Sequence, residues 1–347
     1  MILPTISIII PVFNSEVTFK LCLESIRAQN YPTDKIEIII VDAGSTDRTL
    51  EIAREFRVNE ILENALKTGE AGKAVGVKFA KNEIIALIDS DNILAETDWL
   101  RRMVEPFQDS EIVCSEPLYY TYRKEDGFIN RYCALFGMND PICYFLGNYD
   151  RYNVISGKWT NLLVDEEDKG NYLKITILGK ERIPTIGANG FLIRRKDLLS
   201  YPIGDYLFDI DIIYKLMESK GKALNNSKMK LKFAKVKIGI IHIFCKDIKT
   251  FIRKQKRRIK DYLYFSKLNL RKYPWKVARR RGLIKFAMYC LLLFPLVIQA
   301  AVGYSKKSDR AWFFHPLACL ITFWVYVLET VKGLFKIKMM RRKKWNQ

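Results

Sequence analysis

Short apolar runs alternate with stretches of helical periodicity over the first hundred residues of the chain. Runs such as Ile36–Val41 are apolar throughout, which is typical of strands that helices cover on both faces. The predicted elements are a strand over Ile6–Val12, a helix over Val17–Gln29, a strand over Ile36–Val41, helices over Thr46–Phe56 and Gly72–Phe79, and a strand over Ile84–Ile88. This alternation predicts an α/β domain with a mostly parallel, doubly wound sheet.

An aromatic-rich segment, residues 119–186, interrupts the alternation. It follows no clear helical or strand period, and we expect it to be an elaborated insertion at the surface. Regular patterns return with Gly187–Arg194, a helix over Phe208–Ser219 and a strand over Lys235–Phe244. The α/β domain is therefore predicted to span residues 1–245, with the insertion included.

A basic amphipathic helix is predicted over Asp247–Ser266. Its apolar residues recur at helical spacing, and Lys and Arg crowd the other side. These apolar residues are Ile248, Phe251, Ile252, Ile259, Tyr262 and Leu263. Gln255 falls inside the apolar stripe, where an amide needs a hydrogen-bond partner. We expect the segment 246–282 to lie on a membrane surface.

Two uncharged apolar runs follow, Phe286–Gly303 and Ala311–Leu328, each near the ~20 residues that cross a bilayer. They predict a two-helix transmembrane hairpin within residues 283–335, in which Pro295 and Pro316 leave room for kinked or re-entrant segments. The flanks Arg279–Arg281 and Lys336–Lys344 are more basic than the connection Tyr304–Arg310, which places both outer ends and the tail 336–347 in the cytoplasm. The expectation is a multi-pass protein of the cell membrane with a cytoplasmic α/β domain. The alternative, two buried helices of a soluble domain, does not account for the polybasic flanks.

The basic charge of the chain is confined to its C-terminal part. The formal net charge is +20, but residues 246–347 hold 26 Lys and Arg against four Asp and Glu, and residues 1–245 hold 32 against 34. The excess belongs to the predicted membrane segment and favours a membrane partner over nucleic acid. The seven cysteines form no CxxC pair, which argues against a zinc site or a disulfide framework. No basic region or cleavage site typical of a signal peptide is visible, so we expect most of the protein to stay in the cytosol.

Candidate chemistry begins with two acids one residue apart, in Asp89-Ser90-Asp91. They directly follow the predicted strand Ile84–Ile88, at the edge where open α/β sheets bind ligands. Two carboxylates at this spacing can share a hard cation and bring it to a diphosphate. The alternative is a strand-ending turn in which an Asp caps the next helix.

A second strand-end motif is Val41-Asp42-Ala43-Gly44-Ser45-Thr46-Asp47. Gly44 permits a tight turn, and Asp42 at the strand tip can accept hydrogen bonds from a base or ribose. In the purely structural interpretation, Ser45 or Thr46 caps the following helix.

Together, three motifs closely resemble those of family 2 glycosyltransferases of GT-A fold. They are Ser7-Ile8-Ile9-Ile10-Pro11-Val12-Phe13-Asn14, then Val41–Asp47 with Arg48-Thr49, and then Asp89-Ser90-Asp91. Phe208-Asp209-Ile210-Asp211 extends the resemblance, which covers roughly residues 5–220. The resemblance implies a nucleotide-sugar-binding domain that transfers a sugar with inversion at the anomeric carbon.

Carried over to this sequence, the resemblance implies a donor site. Pro11 would shape the nucleotide pocket beside Glu16, and Asp42 would read the base. Lys73 of Gly72-Lys73-Ala74 would lie near the donor. Asp89 would face the ribose and the metal.

The resemblance also implies a metal site and a catalytic base. Asp91, with Asp89, would ligate Mn2+ or Mg2+, and Asp209 would be the base that deprotonates the acceptor hydroxyl. Phe208 stands where the family usually has Glu, so only half of the family's acidic pair is present. Asp211 is an alternative base, although its position favours an exposed acid in the first turn of a helix.

Three further features are candidates for the acceptor or diphosphate side. Gly187-Ala188-Asn189-Gly190 resembles the family's glycine-rich acceptor loop, with a simple turn as the alternative. Gln255 and Arg258 are reminiscent of the QxxRW motif of the cellulose-synthase-like branch, with Ile259 in place of its Trp. The alternative is a basic, lipid-facing helix. His242 is a further candidate for binding metal or phosphate, with a buried structural imidazole as the alternative.

The expected reaction moves a sugar from a UDP- or GDP-linked donor to a hydroxyl of a membrane-associated, lipid-linked glycan. The first alternative is a polyprenyl-phosphate glycosyl synthase, such as a mannosyltransferase, whose phosphate acceptor needs no deprotonation. The second is a basic scaffold protein for membranes or nucleic acid, which leaves the strand-end acids unexplained.

Overall fold

The computed structural model describes residues 2–177, 179, 183–223, 230–273 and 280–335. Within this part, the chain forms two compact units. The first unit comprises residues up to Leu118 together with Leu163–His242, and the second comprises Tyr119–Leu162 with the described residues from Ile243 onward. The basic tail 336–347 lies outside the described residues, as does Arg279.

Ten strands and twelve α-helices make up the regular structure of the described residues. The strands are β1 (Ile6–Val12), β2 (Ile36–Asp42), β3 (Glu60–Glu63), β4 (Ile84–Leu87), β5 (Asn92–Leu94), β6 (Ile112–Tyr120), β7 (Asp165–Asp168), β8 (Tyr172–Ile177), β9 (Phe191–Arg194) and β10 (Leu231–His242). The helices are α1 (Glu16–Arg27), α2 (Thr49–Glu55), α3 (Gly69–Phe79), α4 (Trp99–Val104), α5 (Phe128–Phe136), α6 (Ile142–Leu146), α7 (Arg195–Leu198), α8 (Ile212–Ala223), α9 (Ile248–Lys267), α10 (Arg280–Leu292), α11 (Phe294–Lys306) and α12 (Phe314–Phe335).

One sheet runs through the first unit, in the order β3-β2-β1-β4-β9-β6-β10-β8-β7, with β5 paired to β10. The strands β3, β2, β1 and β4 are parallel, with Ile8 between Ile38 and Ala86 in register. Strands β1, β2 and β4 are buried along almost their whole length, as their apolar runs predict. The predicted α/β class with its parallel core is confirmed.

Beyond β4 the pairing changes direction. Strand β9 lies antiparallel to both β4 and β6, and β10 lies antiparallel to β5 and β8. The hairpin of β7 and β8 comes from the segment that the sequence predicts to be an insertion, and it forms the end of the sheet. Because parallel strands leave their carboxyl ends at one edge, the loops after β1, β2 and β4 meet there.

The second unit has an aromatic core. Tyr132 and Phe136 of α5 stack on each other and pack edge-on against Trp312. Phe314 at the start of α12 packs against Tyr132 and against Phe251 of α9. The aromatic residues between Tyr119 and Leu162 are therefore largely core residues, and the expectation that they form a surface insertion is wrong for this part. Burying so many rings gives the unit its packing energy.

Helix α9 is amphipathic, as its sequence pattern predicts. Phe251, Gln255, Ile259 and Phe265 are buried, and the side chain of Asp247 caps the helix by accepting from the N–H of Thr250. Along its length α9 packs against α12.

The apolar runs at the C-terminus differ from the predicted hairpin. Residues Arg310–Leu334 form a helical segment long and apolar enough to cross a bilayer, in agreement with the second predicted span. The first run is broken, because α10 ends at Leu292 and α11 starts at Phe294 at an angle of 96°. Pro295, in the first turn of α11, has no N–H to continue the ladder of α10. The first predicted span is therefore bent, as the position of Pro295 allows, and the two-helix hairpin stays a prediction.

Candidate active site

The turn after β2 is organised by Asp42. Its carboxylate accepts from the backbone N–H groups of Gly44 and Ser45 and from the Ser45 hydroxyl, at 2.5 to 3.1 Å. Gly44 has a φ of +90°, which suits glycine best. The carboxylate thus holds its own turn at the strand edge, and any contact with a base or ribose uses its remaining acceptor capacity.

The loop after β1 is fastened to this turn. The side-chain oxygen of Asn14 accepts from the N–H of Thr46 at 2.7 Å, and the N–H of Asn14 donates to the Ser45 hydroxyl at 2.9 Å. Glu16 accepts from the N–H of Arg48 at 3.0 Å. The expected N-cap role of Ser45 or Thr46 is wrong, because α2 begins only at Thr49 and both residues bind groups in this pair of loops.

A buried ammonium links the other two edge elements. Lys73 on α3 is almost fully buried, and its Nζ lies 3.0 Å from Asp89 Oδ1 and 2.6 Å from Asp209 Oδ2. Helix α3 can bring Lys73 there because it packs closely on β1, where the α-hydrogen side of Gly72 faces Pro11. Three residues predicted for the site, separated by up to 136 positions in sequence, therefore form one cluster.

The electrostatics of this cluster suit proton transfer. Burial raises the pKa of the Asp209 carboxyl to about 7, with the Lys73 ammonium opposing the rise and the Asp89 charge adding to it. Burial lowers the pKa of Lys73, but the two carboxylates outweigh this effect and raise it overall, so Lys73 stays charged. A carboxylate with a pKa near 7 is a better proton acceptor than an ordinary aspartate.

One oxygen of Asp209 has no partner among the described residues. Oδ2 binds Lys73, whereas Oδ1 is buried without a hydrogen bond within that part of the chain. A buried, unsatisfied carboxylate oxygen is costly, and such atoms concentrate at functional sites. A substrate hydroxyl at this position would satisfy it.

Asp91 lies beside His242. Its Oδ1 is 3.5 Å from Nε2 of the imidazole, which lies at the end of β10. Among the described residues, no group of three or more His, Cys, Asp or Glu side chains could by itself enclose a metal ion. The carboxylate and imidazole, with Asp89 two residues earlier, nevertheless suit Mn2+ or Mg2+ held partly by a substrate, since such ions take few protein ligands when phosphates complete the shell.

The loop after residue 186 packs against the backbone of Asp209. Gly187 has a φ of +127°, and a Cβ there would lie 2.3 Å from the Asp209 carbonyl oxygen. Its N–H donates to Glu116 on β6 at 2.9 Å, and the other oxygen of Glu116 lies 2.7 Å from Lys235 on β10. Both partners of this ion pair are fully buried.

Glu116 and Lys235 are absent from the predicted site. The available signal was Glu116, the one charge in the apolar run of β6, which requires a partner; β10 carries three lysines, and only burial distinguishes Lys235 from the others.

The rest of the glycine-rich loop joins the same edge. Asn189 accepts a hydrogen bond from the side chain of Asn92, at 3.1 Å, in a buried position just after Asp91. Gly190 donates its N–H to the carbonyl of Leu87 at the end of β4. The loop is thus part of the sheet edge, and it holds Gly187, Asn189 and Gly190 together there.

Asp211 is fully buried, so the expectation of an exposed acid at this position is wrong. It belongs to a short 3₁₀ turn, Asp209–Asp211, that precedes α8.

Gln255 and Arg258 lie in the second unit, in a polar network of their own. The Gln255 amide donates to the carbonyl of Asn139 at 2.7 Å and accepts from Arg258 at 2.6 Å. Asp140 lies 3.6 Å from Arg258 and accepts from Tyr326 of α12 at 2.5 Å. This network explains why an amide occupies the apolar stripe of α9, as the sequence requires.

Comparison with known proteins identifies the family. The model of glycosyl transferase family 2 matches residues 7–198, more than half of the chain. Glycosyltransferase AglE of Haloferax volcanii is 35% identical over 107 residues, which are 29% of this chain and 35% of that protein. The dolichyl N-acetyl-alpha-D-glucosaminyl phosphate 3-beta-D-2,3-diacetamido-2,3-dideoxy-beta-D-glucuronosyltransferase of Methanococcus voltae is 36% identical over 109 residues, 30% of this chain and 34% of that protein. The matches thus span about a third of either relative.

A solved structure extends the likeness to the fold of nearly the whole chain. The mannosyltransferase PcManGT from Pyrobaculum calidifontis, in complex with GDP-Man and Mn2+, superposes with a TM-score of 0.51 at 14% identity. The alignment covers 95% of this chain and 88% of that one. With the matched family model, the parallel core and the strand-end acids, the chain belongs to glycosyl transferase family 2 and has its GT-A fold.

Proposed function

We propose that this chain transfers a sugar from a UDP- or GDP-linked donor to a hydroxyl group of a membrane-associated, lipid-linked glycan, with inversion at the anomeric carbon. The observation that carries the proposal is the state of Asp209. Its side chain is 15% exposed at the sheet edge and is held by Lys73 through one oxygen, whereas its other oxygen is buried and has no hydrogen-bond partner among the described residues.

In the proposed reaction, the acceptor oxygen attacks the anomeric carbon on the face opposite the diphosphate. A new C–O bond forms as the bond to the leaving phosphate oxygen breaks, and that oxygen keeps the bonding electrons. The acceptor proton passes to Asp209 Oδ1. Proton transfer of this kind typically contributes ~10²–10⁴-fold to a rate.

The other edge residues have binding and positioning roles in the proposal. Lys73 keeps Asp209 oriented through its 2.6 Å contact, and its charge faces the donor side next to Asp89. The turn of Asp42, with Pro11 and Glu16 on the neighbouring loop, would hold the nucleotide. Gly187, Asn189 and Gly190 would line the acceptor side.

Asp91, Asp89 and His242 are the residues that would hold Mn2+ or Mg2+. When bound, the ion offsets the charge of the leaving nucleoside diphosphate. The solved structure of PcManGT, a complex with GDP-Man and Mn2+, supports a nucleotide-sugar donor bound together with a metal ion in this fold.

Two observations support the nature of the acceptor. The Methanococcus voltae relative is named for a dolichyl-phosphate-linked sugar acceptor. A retained, buried carboxylate favours a hydroxyl acceptor, because a phosphate is already deprotonated at neutral pH.

The test is Asp209→Asn in the full chain, with Asp205→Asn as a matched control. Asp205 is an exposed acid four residues earlier in the same loop. UDP- and GDP-sugars are first screened for thermal stabilisation with and without Mn2+, and transfer to a synthetic prenyl-linked sugar is then measured. Asp209→Asn should lower turnover by ~10²–10⁴-fold with donor affinity nearly unchanged, and Asp205→Asn should transfer at the wild-type rate.

Wild-type turnover in Asp209→Asn would contradict the assignment of the base. If that variant also transferred the sugar to a polyprenyl phosphate, the polyprenyl-phosphate synthase would replace the lipid-linked hydroxyl as the function. If no nucleotide sugar stabilised the wild-type chain, the transferase proposal itself would fail.

A further inference from the structure

Helices α10 and α11 carry apolar side chains on their exposed sides as well as on their buried ones. One stripe of each helix is buried in the second unit, namely Phe286 and Cys290 of α10 and Leu296 and Ala300 of α11. The opposite sides carry large exposed apolar side chains: Leu283, Ile284, Met288, Leu291 and Leu292 on α10, and Phe294, Val297, Ile298 and Val302 on α11. A surface helix in water would be polar on that side, so these faces need an apolar partner.

The exposed apolar surface is concentrated at the elbow between the two helices, Leu291–Phe294. Leu291 is 68% exposed and Phe294 is 60% exposed. Leu293 has a φ of +63°, a conformation that glycine adopts far more easily than leucine. A leucine here, at some cost in backbone strain, keeps four consecutive apolar side chains at the tip of the elbow.

The arms of the elbow are too short to cross a bilayer. No charged residue occurs between Lys285 and Lys306. From Phe286 to Leu292 the first arm rises about 10 Å, and the second, from Phe294 to Ser305, about 18 Å. With a bend of 96° between the helices, this reach matches one leaflet of roughly 15 Å and not the full ~30 Å of hydrocarbon.

Helix α12 is long and apolar enough to cross a bilayer, but a highly charged helix lies beside it. Phe251 of α9 packs against Phe314, and Lys256 and Lys260 of α9 both lie 3.4 Å from Glu329. Phe314 and Glu329 are about 22 Å apart along α12. Helix α9 therefore accompanies most of α12.

Eight of the residues of α9 are Lys or Arg, and such charges are strongly disfavoured in hydrocarbon. Since α9 and α12 are packed together, α12 cannot lie across the hydrocarbon without taking these charges with it. Its exposed large apolar residues are Phe313 just before it and Leu317, Trp324, Val327, Leu328, Val331 and Leu334 along it. They fit a helix that lies along the membrane surface.

Basic residues stand at the outer ends of the elbow. Arg280, Arg281 and Lys285 begin α10, and Lys306 and Lys307 end α11. Cations at both ends of an apolar wedge complement a surface of anionic headgroups above hydrocarbon.

We propose that the second unit is a monotopic membrane-docking surface: the elbow Leu291–Phe294 enters a single leaflet of an anionic bilayer, and α9 and α12 lie along that leaflet. The connection between α11 and α12 then does not cross the bilayer and stays on the side of the membrane to which the protein binds. This docking replaces the predicted hairpin and does not depend on the identity of the sugar transfer.

The first test is flotation of the full chain with vesicles of phosphatidylcholine and phosphatidylglycerol. Leu292→Glu and Phe294→Glu should each lower the bound fraction by about tenfold or more. Leu163→Glu, at a 74% exposed leucine of the first unit, should bind as the wild type does. All three sites are exposed, so the fold should persist, which circular dichroism checks. If both elbow variants bound vesicles as the wild type does, the proposal would be overturned. It would also be overturned if the elbow variants converted a dimer of the chain to monomers and left vesicle binding unchanged.

The second test separates one-leaflet docking from a span. Ser308, exposed after α11, is changed to cysteine, and the full chain is added to preformed sealed vesicles. A membrane-impermeant maleimide is then applied outside, with the wild-type chain as background, since six of its seven cysteines are buried and Cys143 is half-buried. Docking in one leaflet predicts full labelling of Ser308→Cys before detergent. Labelling only after detergent would show that the connection had crossed and would overturn the proposal.

Discussion

Replacing Glu116 with glutamine should destabilise the first unit by removing the carboxylate that neutralises the buried Lys235 ammonium. The two side chains are 0–1% exposed and 2.7 Å apart. Removing one partner of a buried pair costs roughly 3–5 kcal/mol, because the remaining charge stays desolvated. For a unit of this size that corresponds to a fall in melting temperature of roughly 6–20 °C.

The double variant Glu116→Gln/Lys235→Met should recover most of this loss. Replacing both members of a buried pair by uncharged groups of similar volume is often neutral in stability. If the losses of the two single variants simply added, the double variant would be much less stable than the wild type. Its free energy of unfolding should instead exceed that additive value by about 2 kcal/mol or more. Thermal or urea unfolding of the full chain in detergent is measured for the wild type, both single variants and the double variant.

A second double variant tests the link to Asp209. Glutamine at position 116 still offers an oxygen to the N–H of Gly187, whereas Glu116→Leu/Lys235→Met offers none. Both double variants are uncharged at these positions and differ mainly in that hydrogen bond. The leucine variant should turn over more slowly, because Gly187 packs on the backbone of Asp209. If each single variant lowered the free energy of unfolding by less than ~1 kcal/mol and the two losses added in the double variant, the pair would not stabilise the unit as described. Equal turnover in the two double variants would refute the link to Asp209.

Two further predictions concern the same edge of the sheet. Gly187→Ala should lower turnover more than it changes the KM for the donor, because its Cβ would lie 2.3 Å from the Asp209 carbonyl oxygen. Gly204→Ala, which has nothing within 4 Å of its Cβ, is the control, and equal turnover in both variants would count against the prediction. Asp91→Ala should abolish the extra thermal stabilisation that Mn2+ adds to nucleotide binding, while the melting temperature of the ligand-free chain stays near that of the wild type; unchanged metal dependence would remove Asp91 from the site.

The sequence alone determined the α/β unit and much of its candidate site. Unbroken apolar runs such as Ile6–Val12 predict buried parallel strands, because only strands covered on both faces are apolar throughout. Once those strands are parallel, their following loops must meet at one edge. Asp42 and Asp89 could therefore be placed near each other without a structure, and the amide of Gln255 in an apolar stripe correctly required a partner.

Only the tertiary structure decided which charges meet. Lys73 lies 136 residues before Asp209, and Glu116 lies 119 residues before Lys235, so no local pattern connects either pair. The burial of Asp211 depends in the same way on packing and not on its place in a turn.

The predicted membrane segment, residues 283–335, also divides into what the sequence determined and what only the tertiary structure decided. Its composition determined that residues 283–335 are apolar enough for a bilayer, because hydropathy depends on residue type alone. The break at Leu293 and the packing of α9 along α12 depend on how the helices meet in three dimensions. Apolar content therefore predicts contact with lipid, whereas the docking geometry that we propose rests on a bend and on a charged neighbour that hydropathy does not record.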